Sequence, residues 1–228
     1  MGKCLFVTGT GTDIGKTYVT ALMVKKLRAL GKTSGYYKAA LSGAERDSSG
    51  GLLPGDADYV RKVGNIGKSA VPLVSYVYPE PVSPHLAARL NQQPISMDRL
   101  NADFARARSC FDYLTVEGSG GIVCPLRWDR EEKFCLDDWI RQLGLSVLMV
   151  ADSGLGTINA AVLTAEHLQK IGIPLKGIIF NRFHSGSIME KDNLRMVEEM
   201  TGIPVIAKVT ENATDLEIEA EELAALYE

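Results

Sequence analysis

The stretch Gly9-Thr10-Gly11-Thr12-Asp13-Ile14-Gly15-Lys16-Thr17 follows an apolar, strand-like run at residues 4–7 and opens a helix-like pattern. Glycines at such a junction let successive backbone N–H groups turn inward around phosphate oxygens, and the helix behind them presents the positive end of its dipole. Lys16 adds a point charge and the Thr17 hydroxyl a magnesium ligand, so the segment suits a nucleoside triphosphate, ATP or GTP. The usual spacing of such loops wants glycine at position 10, where this chain has Thr10 between Gly9 and Gly11, which makes the loop a variant. A glycine turn that only caps a helix is the plainer alternative; the strand-to-helix setting argues against it.

On either side of this junction, short β-rich runs alternate with helical patterns. Residues 4–8, 33–38, 113–117, 147–151, 177–180 and 205–209 are expected strands. Residues 16–30, 97–108, 137–143, 158–171 and 188–200 are expected helices, with Gly31, Gly144 and Gly172 as stops. The rhythm predicts an α/β fold of the P-loop nucleotide-binding type: a mostly parallel sheet with helices on both faces, one domain over residues 1–228. Ligands of such sheets lie beyond the carboxyl ends of the strands, so chemistry is expected in the segments that follow them. The Ser- and Gly-rich stretch 42–55 predicts a mobile loop, and the acidic stretch 217–222 a solvated helix face.

Bulk properties narrow the partners. The 228 residues are 46% apolar, enough for a substantial core, and carry a formal net charge of −3 with dispersed Lys and Arg. Such a balance offers no basic stripe for nucleic acid or an anionic membrane. Cys4, Cys110, Cys124 and Cys135 have neither zinc-binding nor CxxC spacing, which fits a reducing cytoplasm. No basic-then-apolar leader, myristoylation signal or membrane-length apolar run is present, so a cytoplasmic, unprocessed protein is expected.

Further candidates lie after the other strands. Lys38, within Lys38-Ala39-Ala40-Leu41-Ser42-Gly43, stands at a predicted strand end, where it either holds a second anion beside the γ-phosphate or is a solvated surface lysine. Asp56 begins a helical stretch and is either an N-cap or a metal ligand. Glu117 ends the strand Tyr113-Leu114-Thr115-Val116 and precedes Gly118-Ser119-Gly120-Gly121. Thr17, Asp56 and Glu117 together supply the hard oxygens that magnesium prefers. Leu155-Gly156-Thr157-Ile158-Asn159 precedes a helix whose free N–H groups favour a carboxylate, or which Thr157 simply caps. Asn181 either reads an adenine edge or is a turn residue; Asn181-Arg182-Phe183-His184 lacks the lysine and aspartate of a guanine-selective Asn-Lys-x-Asp. His85, His167 and His184 lack metal-ligand partners at useful spacing.

Taken in order, the variant loop, the spacing from Lys38 to Ser42, Gly55-Asp56-Ala57, Ser83-Pro84-His85, Val116-Glu117-Gly118-Ser119-Gly120-Gly121 and Leu155-Gly156-Thr157-Ile158-Asn159 resemble the dethiobiotin synthetase family. The resemblance runs from Gly9 to about Asn181. It implies a homodimeric, magnesium-dependent ligase of biotin biosynthesis that converts diaminopelargonate, carbon dioxide (or bicarbonate) and ATP into dethiobiotin, ADP and phosphate. By the same resemblance, Lys16, Lys38 and magnesium supply positive charge, and Thr12 and Ser42 hydrogen-bond the carbamate. Asp13 sits by the substrate amine. Ile14, Gly15, Tyr18, Gly118, Ser119, Gly120 and Asn181 belong to the nucleotide site. Leu155, Gly156, Thr157 and Asn159 bind the substrate's tail carboxylate across the dimer.

Three departures from the family pattern stand out. Ala39-Ala40 replaces Pro-Val, which bears on loop stiffness; Ala160 replaces a frequent histidine; Val209-Thr210 replaces Ile-Pro near the base pocket. The run Arg127 to Lys133 is unusually charged, and no motif accounts for it. Among rivals, a partitioning-type ATPase would carry a second lysine early in the loop, where Thr8-Gly9-Thr10 has none. A cobyrinate-type amidotransferase would add a glutaminase domain beyond Glu228. A related enzyme with a different small substrate is the third alternative.

Overall fold

A computed structural model describes residues 1–67 and 72–228. Strand β1 (Lys3–Gly9) leads through the glycine loop into α1 (Lys16–Arg28). The chain continues through β2 (Ser34–Ser42), α2 (Gly55–Val63), β3 (Val74–Tyr78), α3 (Pro84–Leu90), α4 (Met97–Cys110) and β4 (Tyr113–Glu117). A hairpin, β5 (Pro125–Trp128) and β6 (Lys133–Cys135), precedes α5 (Leu136–Leu143) and β7 (Val147–Asp152). Then come α6 (Thr157–Lys170), β8 (Leu175–Asn181), α7 (Ile188–Thr201), β9 (Val205–Val209) and α8 (Ala220–Ala225). Seven strands form one parallel sheet in the order β3-β2-β4-β1-β7-β8-β9, and helices cover both faces.

The apolar run that announces β1 is explained by its place at the sheet centre, where both faces are covered. Alternate side chains of a strand point to opposite faces. Cys4 and Phe6 therefore join one cluster with Tyr37, Phe104 and Trp139, while Leu5 and Val7 join another with Val19, Leu22 and Tyr227. Trp139 anchors the first cluster: its ring lies edge-on to Phe6 at 6.4 Å, and its indole N–H donates to Asn101 Oδ1 at 3.1 Å. Truncating such a side chain typically costs about 3–5 kcal/mol. Gly144, at φ +64°, ends α5 in the left-handed conformation that a side chain disfavours.

Several expectations need correction. β2 does not end at Lys38 but continues to Ser42, pairing with β3 as far as Tyr78, so Lys38 is inside the strand. Ala39-Ala40 consequently belongs to the strand and not to a loop, with both residues buried. Strand β3, helix α3 and the hairpin were not expected from the pattern. The hairpin accounts for the charged run: Arg127 reaches Asp129 at 2.6 Å, Glu131 at 2.7 Å and Glu132 at 3.1 Å. Asp129 Oδ1 also accepts from the Glu131 and Glu132 backbone amides at 2.8 Å, and its bond to Arg127 holds its carboxyl below the usual range. The 42–55 loop closes on itself through an Arg46–Leu52 bridge and an Asp47 carboxylate that caps Ser49 and Gly51. Among the described residues, no helix is long and apolar enough to cross a membrane.

Candidate active site

The carboxyl ends of β1, β2 and β4 border a cavity of about 520 Å³. The glycine loop supplies one wall with Thr12, Asp13, Gly15, Lys16, Thr17 and Tyr18. Its shape requires glycine at one point: Gly15, the N-cap of α1, adopts φ +88°, and a Cβ there would lie 2.1 Å from Asn181 Nδ2, whereas one on Gly9 would meet only the flexible end of Ile14. Thr10 is tolerated because its amide still pairs with Val150 O at 3.1 Å, extending the ladder of β1. The first turn of α1 leaves backbone N–H groups free toward the cavity, the arrangement that binds phosphate.

Opposite the loop stand Lys38, Ser42 and Asp56, with Glu117, Ser119 and Gly120 at the end of β4. Register explains the convergence: parallel pairing sets Lys38 directly opposite Glu117. Lys38 Nζ donates to Glu117 Oε1 at 2.7 Å and to Asp56 Oδ2 at 2.6 Å, and Thr17 Oγ1 donates to the same Glu117 Oε1 at 2.8 Å. Burial alone would lower the Lys38 pKa, but the charges of Glu117 and Asp56 outweigh it and raise it above the usual lysine value. Lys16 goes the other way. Burial, reinforced by the Lys38 charge, pushes it down to about 8, and its Nζ donates to Gly11 O at 2.7 Å.

The donor set fits magnesium. Thr17, Asp56 and Glu117 offer hard oxygens from three segments, with Thr17 Oγ1, Asp56 Oδ2 and Glu117 Oε1 gathered around the Lys38 ammonium. Ser119 Oγ ties its loop to β2 by donating to Ala40 O at 2.6 Å. Gly118 lies under the loop, where a Cβ would press on Leu136 at 2.8 Å and Phe6 at 3.1 Å.

Other expected residues are placed differently. Asn181 does not line the cavity; its Nδ2 donates to Ile14 O at 2.9 Å and braces the glycine loop. Tyr18 lines the cavity while its hydroxyl donates to Ala213 O, tying α1 to the segment after β9. Leu155, Gly156, Thr157 and Asn159 lie outside the cavity, at the start of α6, with Leu155 93% exposed. Gly156, not Thr157, is the N-cap there, and the Thr157 hydroxyl is buried without a partner among the described residues. Arg182 is a cavity-lining residue that the sequence reading did not single out. It lines the cavity, adopts φ +57°, and bridges Asp13 O at 2.6 Å to Asp152 Oδ2 at 2.8 Å. Its only sequence signal was a cation directly after Asn181. Of the histidines, His167 pairs with Asp137 at 2.7 Å and His184 with Glu190 at 3.1 Å, whereas His85 Nδ1 is buried without a partner among the described residues.

The family described as an AAA domain matches residues 3–217. The chain is 46% identical over 228 residues to the ATP-dependent dethiobiotin synthetase BioD of Clostridium botulinum strain Loch Maree, covering 100% of this chain and 99% of the relative. It is 47% identical, with the same coverage, to the protein of that name from strain Langeland. Among solved structures it is similar to a ParA family ATPase from Chlorobium tepidum (15% identity, TM-score 0.53, 92% of this chain and 84% of the other). It is likewise similar to the cell division ATPase MinD of Pyrococcus furiosus (19% identity, TM-score 0.52, 93% and 84%). Those two likenesses show a shared P-loop fold. The curated relatives, matched end to end, show more: the chain belongs to the ATP-dependent dethiobiotin synthetase family.

Proposed function

We propose that the chain is an ATP-dependent ligase that carboxylates diaminopelargonate and closes the product to dethiobiotin, with residues 1–228 acting as one nucleotide-binding unit in the cytoplasm. One observation carries the assignment of roles: Lys38, Thr17, Asp56 and Glu117 converge on one point facing the glycine loop. In the reaction, one amine captures carbon dioxide as a carbamate, and a carbamate oxygen attacks the γ-phosphorus of ATP to expel ADP. The second amine then attacks the activated carbonyl carbon, forming the C–N bond and releasing phosphate. Each step brings anions together, so preorganised positive charge serves better than a strong base.

Lys16 and the N–H groups of the glycine loop hold the β- and γ-phosphates, while Lys38 lies between γ-phosphate and carbamate. Thr12 and Ser42 orient the carbamate, and Asp13 the substrate amine. A magnesium ion on Thr17, Asp56 and Glu117 would neutralise the phosphates. Asn181 directs its amide nitrogen to Ile14 O, which leaves its oxygen to accept from the amino group of adenine, a donor that guanine lacks at that edge. Exposed Leu155 and Ile188 support a homodimer in which the start of α6 meets the tail carboxylate of substrate held by the other subunit. The test is to mix protein, magnesium, ATP, bicarbonate and diaminopelargonate and seek dethiobiotin by mass spectrometry. Its appearance supports the reading; ATP hydrolysis without it would favour another substrate.

A further inference from the structure

Two buried polar atoms beside the site have no hydrogen-bond partner among the described residues, and they sit on neighbouring strands. One is Glu117 Oε2, whose sister oxygen accepts from both Thr17 and Lys38. The other is the Tyr36 hydroxyl; Tyr36 and Glu117 are both fully buried.

The sheet brings them together. Parallel pairing sets Tyr36 opposite Thr115 and Lys38 opposite Glu117. Residues two apart on a strand share a face, so Tyr36, Lys38, Thr115 and Glu117 all stand on one side of the sheet. Helices α1 and α2 cover Tyr36 there, through Ala21, Val24, Ala57 and Val60. These neighbours are apolar and give its hydroxyl nothing to bond. Thr115, directly opposite, is already paired with the Tyr227 hydroxyl at 2.7 Å. The diagonal neighbour is Glu117, and diagonal positions on adjacent strands are about 7–8 Å apart, within the span of an aromatic side chain.

We propose that Tyr36 is a positioning residue for the divalent cation: once a cation draws on Glu117 Oε1, the Tyr36 hydroxyl would donate to Oε2 and hold the carboxylate so that Oε1 faces Thr17 and the cavity. Groups that orient a metal-binding side chain from behind typically contribute 10–100-fold to metal affinity. Tyr36 does not line the cavity and so acts only through Glu117.

This inference rests on the magnesium reading of Thr17, Asp56 and Glu117, and one set of variants separates the two. Mn²⁺ binding in the presence of ADP is measured by electron paramagnetic resonance for the wild type, Tyr36→Phe, Tyr37→Phe and Glu117→Gln, each checked for folding by circular dichroism. Tyr37→Phe is the control: it removes a hydroxyl from the same strand, but one bonded to Ser75 Oγ at 2.6 Å on the opposite face. Tyr36→Phe is expected to weaken Mn²⁺ binding by about 10–100-fold and to raise KM for magnesium ATP, while Tyr37→Phe binds Mn²⁺ as the wild type does. Tyr36→Phe within twofold of wild type, with Glu117→Gln defective, overturns the role of Tyr36 alone. Undiminished Mn²⁺ binding by Glu117→Gln overturns the magnesium reading, and this inference with it.

Discussion

Lys38 and Glu117, directly opposite each other on β2 and β4, are joined by a 2.7 Å ion pair at the base of the phosphate cavity. The same ammonium reaches Asp56, so one lysine occupies both carboxylates that would hold a divalent cation. Two cations of different role therefore compete for one pair of anions. Removing either member of such a buried pair leaves an uncompensated charge, a larger penalty than the pair itself is worth.

Replacement of Lys38 by methionine should lower turnover by about 10²–10³-fold, the usual cost of losing one charge-stabilising donor. It should also lower the melting temperature in EDTA and restore it when Mg²⁺ is added, because the ion now takes the place of the ammonium. Steady-state kinetics and calorimetry check the two parts. Near-normal turnover in the purified variant would remove Lys38 from the chemistry.

Lys16 titrates near pH 8, so the free enzyme loses its phosphate-binding charge as pH rises through that value, and kcat/KM for magnesium ATP should fall there. Stability should respond in the opposite sense. The folded lysine releases its proton at about 8 whereas the ordinary value is 10.5, so between them the unfolded chain binds more protons and stability rises with pH. Lys16→Met should abolish both effects in pH-dependent kinetics and denaturant melts.

How much of this was legible in the chain depends on what each residue must satisfy. The glycine loop, Lys38, Asp56 and Glu117 could be found because phosphate and metal chemistry restrict the residue types and their order. Strand β3 escaped notice because Val74-Ser75-Tyr76-Val77-Tyr78 is short and follows a stretch without clear periodicity. The β5–β6 hairpin was hidden for another reason: ion pairs around Arg127 hold its turn, and a run of charges reads as solvated surface. Arg182 and Tyr36 were not legible because folding alone brings them in, Arg182 to the loop through the turn after β8 and Tyr36 beside Glu117 through the sheet register.

Gly15→Ala should disable the loop while leaving the sheet intact. The new methyl would meet Asn181 Nδ2 at 2.1 Å in a backbone region, φ +88°, that alanine resists. Binding of a fluorescent ATP analogue should be lost, with a destabilisation of about 1–3 kcal/mol in denaturant titration. Unchanged affinity would mean that the loop does not grip the nucleotide in this conformation.

Leu155→Glu tests the shared site. This exposed leucine precedes α6, and a charge there should break the proposed dimer into monomers in sedimentation and raise KM for diaminopelargonate more than KM for ATP. A wild-type protein that sediments only as monomer at assay concentration would contradict the shared-site arrangement.

The Gly9–Thr17 loop and the Lys38–Glu117 pair should face one triphosphate and one cation. A crystal structure with Mg²⁺ and a non-hydrolysable ATP analogue tests it most directly. The expected complex has phosphates cradled by the loop, the metal on Thr17, Asp56 and Glu117, and Lys38 turned from the carboxylates toward the γ-phosphate. Nucleotide bound elsewhere, with the loop empty and the ion pair intact, would contradict it.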